Sequence, residues 1–163
     1  MIVFFSTKLR ILSLVIYTAI LVRSFAAAPE RTITKEMALQ AITLFRTDPT
    51  SEKGRAAGEL IFDFVEKSPS GVVNVTKKAV PFLTNHKIPL PERSTLTAAF
   101  FVGNVDAQLL RGEKKGNPYA GELQVIETYR QMQKQNPKLR IAEVERFVEL
   151  QRRGELKRYV NSP

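Results

Sequence analysis

The sequence predicts an all-α fold: a single domain of five to six consecutive helices, a bundle or helical-hairpin array, after an N-terminal signal peptide. Three observations carry this. Apolar residues recur at helical spacing from residue 35 onward, with little of the alternation that marks strands. Asp-Pro, Ser-Pro and Asn-Pro pairs punctuate those runs where helices would start or stop. A 44% apolar, 25% charged composition over 163 residues suits one ordinary globular domain.

Residues 1–26 read as a signal peptide. Lys8 and Arg10 supply the positive start, and Ile11 to Val22 is a 12-residue apolar stretch too short to be a typical spanning helix. Small residues follow, so cleavage is expected after Ala26 or, against the unfavourable Pro29, after Ala28. An uncleaved N-terminal membrane anchor facing out of the cytoplasm is the alternative. The expected location is secreted or periplasmic, with contact to membrane only through an uncleaved signal. Residues 27–33 form a short linker, 34–160 the helical domain and 161–163 a tail.

Loss of the signal changes the charge. The 25 basic residues less Lys8, Arg10 and Arg23 leave 22 against 16 acids, so the net falls from +9 to +6. That argues against nucleic acid as a partner. The basic residues gather late, with Arg140, Arg146, Arg152, Arg153, Lys157 and Arg158 close in sequence. An exported protein would turn such a face toward anionic lipid or a cell-wall polymer.

Each helix has its own signals. Thr34 caps a helix over 35–47, with Met37, Ala38, Ala41, Ile42 and Phe45 on one stripe. Asp48-Pro49 opens a second that runs to Lys67, where Ser68-Pro69 ends it. Gly54 and Gly58 suggest close helix packing there. Residues 70–84 contain Val72, Val73 and Val75, yet a lone strand would lack a partner; a helix kinked or ended by Pro81 is expected. Residues 85–93 hold two prolines and read as a loop. Ser94 then caps a helix to Arg111, with Gly112 at its end. That helix is apolar on two faces and so belongs at the centre of the fold. Its polar line of Thr97, Asn104, Gln108 and Arg111 reads as the solvent-facing edge. Asn117-Pro118 opens a helix to residue 135, closed by Asn136-Pro137. The last helix spans 141–153 and ends at Gly154, and Glu155 onward reads as a fraying tail.

Chemistry is sparse. Without Cys there is no disulfide, thiolate metal site or cysteine nucleophile, and one His cannot supply a two-imidazole zinc motif. No cofactor and no metal are expected. His86 lies in the proline-rich loop without a nucleophile motif. Asp106 falls between the two apolar stripes of the central helix. It could act with Glu122 or Glu127 of the next helix in a carboxylate-pair hydrolase, because glycoside hydrolysis needs one acid and one nucleophile or base. Asn104, Gln108, Arg111, Arg152 and Arg153 are candidate binding residues. Asn74-Val75-Thr76 fits a glycosylation acceptor. The leading expectation is a non-enzymatic module binding an envelope or secreted protein. The carboxylate hydrolase and a peripheral binder of anionic surfaces stand behind it.

Overall fold

The computed structural model describes residues 32–68, 72–112 and 115–162; residues 1–31, where the signal peptide is expected, 69–71, 113–114 and 163 lie outside them. The described residues are all-helical, with six α-helices, one 3₁₀ turn and no strand: α1 Lys35–Thr47, α2 Glu52–Lys67, 3₁₀ Pro81–Thr84, α3 Leu90–Arg111, α4 Pro118–Gln135, α5 Ala142–Arg152 and α6 Leu156–Asn161.

The first two helices are joined by a short turn held by side-chain hydrogen bonds. Thr34 caps α1 by accepting from the Met37 N–H at 3.3 Å. Ala38, Ala41, Ile42 and Phe45 form its buried stripe. Asp48 does not cap α2 itself. Its Oδ1 accepts from the N–H groups of Thr50 and Ser51, both at 3.2 Å, and Ser51 accepts from the Gly54 N–H at 3.0 Å. The helix therefore starts three residues later than the Asp-Pro pair implies. Both glycines of α2 are held by contact. A Cβ at Gly54 would lie 2.0 Å from the Asp48 carbonyl oxygen, and one at Gly58 would lie 2.9 Å from the Ala98 Cβ.

Residues 72–84 depart from the expected helix. Residues 72–76 have no regular secondary structure, a turn covers 77–79, and Pro81 opens the 3₁₀ turn. Three valines, an asparagine and a threonine have little helix propensity. The missing strand partner is replaced by a side chain. Gln108 Oε1 accepts from the Val72 N–H at 2.9 Å, and its Nε2 donates to the Val72 carbonyl at 2.8 Å. One amide thus does the work of a neighbouring strand. Ala79, Val80 and Phe82 then enter the core.

Helix α3 starts at Leu90, four residues before the expected cap at Ser94. Pro89 sits at the cap and Pro91 in the first turn, where a missing N–H costs nothing because those groups are unpaired anyway. With 22 residues it is about 33 Å long. Gly112 closes it at φ 66°, a left-handed cap open to glycine. Its central place is as expected: α1, α2, α4 and the 3₁₀ turn all pack on it. The polar line is not solvent-facing, however. Thr97, Asn104 and Gln108 are buried, and only Arg111 of the four is exposed.

The α3–α4 seam is the most extensive in the fold. A glycine from each helix permits it. A Cβ at Gly103 would stand 2.3 Å from the Ala120 carbonyl oxygen, and one at Gly121 would stand 2.6 Å from the Phe100 ring. Asn117 caps α4 by accepting from the Ala120 N–H at 2.9 Å, as the Asn-Pro pair implies. Tyr129 of α4 holds the approach to α5: its hydroxyl donates to Glu145 at 2.7 Å and accepts from the Ile141 N–H at 3.1 Å. The residues expected to fray form α6 instead. Leu156 and Val160 are buried, and Tyr159 packs on Phe147 with Arg146 and Lys78 over its ring.

Candidate binding site

Asp106 lies on α3 with its side chain 19% exposed, 3.0 Å from the Arg46 guanidinium of α1. Arg46 also donates to Gln124 of α4 at 2.7 Å, so one side chain ties three helices together. Beside this bridge is a groove of about 190 Å³ that Arg111 and Ala107 also line. Asp106 and Arg111 are thus brought together. Glu122 and Glu127 are not among the lining residues. Glu127 is half exposed and 3.9 Å from Arg130. The acid pair that hydrolysis would need is not assembled at this groove.

Asn104 and Gln108, expected as an exposed binding edge, are structural in what they touch. Asn104 donates to the Phe100 carbonyl at 2.9 Å, and Gln108 holds Val72. The helical wheel placed them together correctly. Helical spacing alone does not show that Val72 meets Gln108 there. Arg152 and Arg153 both bond Glu149 at 2.8 Å, and these two guanidiniums, Arg152 first, hold its carboxyl down to about 2. Two cations share one anion on an exposed face. His86 sits in the loop with Nδ1 3.0 Å from Arg93.

Glu122 is the residue whose environment the sequence conceals. It is fully buried, and neither carboxyl oxygen has a hydrogen-bond partner. Burial pushes its carboxyl up to about 9, because an unpaired charge in apolar surroundings is expensive and the neutral acid is not. A signal was present: Glu122 shares the stripe of Tyr119, Ile126 and Tyr129, at spacings of three, four and three. It is enclosed, so it meets no substrate as it stands.

Two hollows lie toward the start of α3. The first is an apolar groove of about 380 Å³ between α1, α2 and α3, lined by Phe45, Phe62, Leu90 and Ala98 with Glu59 and Ser94 among its polar residues. Leu90 is 64% exposed there. The second is a cavity of about 250 Å³ that reaches α4, lined by Glu92, Met132, Gln135 and Leu139. Arg55, Pro91 and Thr95 line both. Reading residues 85–93 as a loop hid these sites, because Leu90 to Glu92 become walls only as the first turn of a helix.

Among the described residues, no cluster of three or more His, Cys, Asp or Glu side chains could hold a metal ion, and no helix is long and apolar enough to cross a membrane. Comparison with family models, curated proteins and solved structures finds no match, so the functional reading rests on these residues alone.

Proposed function

We propose that this chain is an exported, non-enzymatic helical module that binds an envelope or secreted protein through the groove between α1, α2 and α3. The exposed Leu90 beside Phe62, Phe45 and Ala98 carries this reading. An apolar floor with a charged or polar rim is how protein interfaces are built, and Arg55, Glu59 and Ser94 supply that rim. Export rests on the positive start, apolar run and small-residue site of residues 1–26.

Site-specific photo-crosslinking in the producing cell tests it. A benzophenone at Phe62 should give a discrete protein adduct, and one at exposed Arg130 should not. Adducts at Arg130 with none at Phe62 would place the partner elsewhere. Mass spectrometry of the recovered chain tests export: an N-terminus at residue 27 or 29 is expected, and an intact chain in the cytoplasm would contradict it.

A second reading has one specific support. Arg152 and Arg153 are 73% and 56% exposed in their side chains and share a single carboxylate, so the α5 end keeps net positive charge. Attachment to an anionic surface would then weaken with added salt and with both arginines changed to Ala. Salt-insensitive binding to anionic vesicles would remove this reading.

A further inference from the structure

The two hollows at the start of α3 form one continuous surface. Arg55, Pro91 and Thr95 line both, so a segment lying across them passes over Arg55. Apolar wall stands on either side: Phe62 and Leu90 in the groove between α1, α2 and α3, Met132 and Leu139 in the hollow toward α4. A cavity of about 150 Å³ holds benzene, so about 380 and 250 Å³ leave room for at least one large apolar side chain in each.

The cation between them is exposed, and the fold does not neutralise it. Arg55 donates one N–H to the Thr50 carbonyl at 2.6 Å, and a guanidinium carries five. Among the described residues it forms no ion pair. Glu59 lines only the first hollow and Glu92 only the second, so an incoming anion is repelled from either interior and attracted to Arg55 between them. A carboxylate matches the guanidinium fork with its two oxygens, and apolar walls that exclude water strengthen such a pair.

We infer that the partner docks through a short segment presenting one acidic side chain flanked by two large apolar ones. The carboxylate pairs with Arg55, one apolar side chain fills the groove between α1, α2 and α3, and the other fills the hollow toward α4. This rests on the protein-binding groove proposed above and names what its occupant presents.

Selection of a random dodecapeptide display library on the full chain tests it. Enriched sequences should share one Asp or Glu with Leu, Ile, Phe or Met on both sides. In a synthetic copy of an enriched peptide, exchanging the acid for its amide should weaken binding to the parent at least tenfold, read by fluorescence anisotropy. The same exchange should change binding to Arg55→Gln less than twofold, since the acid's partner is already gone. Leu90→Asp should weaken the peptide at least tenfold, and matching urea transitions would show that both variants fold. Peptides that bind Leu90→Asp as tightly as the parent would sink the groove and the inference together. Loss at Leu90→Asp with an equal acid-to-amide effect on the parent and on Arg55→Gln would keep the groove and overturn the carboxylate contact. A selection that enriches nothing, or sequences without an acid, would overturn it as well.

Discussion

Helix α3 packs on both sides, and the two sides are finished differently. Toward α4 the seam is tight at its middle: Gly103 and Gly121 bring the helices to contact, Gln108 satisfies both backbone groups of Val72, and only a groove of about 190 Å³ is left at the Asp106 edge. Toward α1 and α2, near its start, the packing stops short and leaves Leu90 in solvent beside Phe62. The same helix supplies both faces, so the open one does not reflect an inability to pack. An exposed apolar residue at the edge of an apolar groove is explained if a partner covers both.

The closed side should be brittle and the open side tolerant. Gly121→Val should cost most, more than about 4 kcal/mol in urea unfolding, because its Cβ would fall 2.4 Å from Asn104 and 2.6 Å from Phe100. A loss under 1 kcal/mol would mean the seam can yield. The pH dependence of Glu122 comes next. Its carboxyl titrates near 4.5 when free and near 9 when folded, so between these values the folded chain holds an extra proton. Its contribution is full below pH 4.5 and is lost as pH rises toward 9, at about 1.4 kcal/mol per pH unit and about 3 kcal/mol by neutrality. Glu122→Gln should flatten that slope, leaving only a constant offset. An unchanged slope would assign it to other groups.

Gln108→Ala should cost about 2 kcal/mol, since it orphans the Val72 N–H and carbonyl in a partly buried place. Hydrogen exchange should rise first at residues 72–76; protection there equal to the parent would show another partner. Tyr129→Phe removes a hydroxyl bonded to Glu145 and Ile141 and should cost about 1.5 kcal/mol.

What could be read from the sequence was local or periodic. Thr34, Asn117 and Gly112 mark helix ends because a cap is satisfied within four residues of itself. The centrality of α3 follows from apolar residues on two faces. What could not be read depends on distant partners. Gln108 meets Val72 across 36 residues, so neither the non-helical path of residues 72–76 nor the burial of the polar line could be deduced from spacing. Asp106 was singled out, but its partner Arg46 stands 60 residues away. Glu122 lay on an apolar stripe, yet only packing shows that no donor reaches it. Pro89 and Pro91 are ambiguous because proline both ends and begins helices.

The contrast between the two faces is decided at Leu90. Replaced by Asp, it should change the unfolding free energy by less than about 0.5 kcal/mol, as an exposed side chain does, while the Phe62 crosslink to the partner disappears. A stability loss above 1 kcal/mol with the crosslink intact would make Leu90 part of the fold and contradict a binding groove.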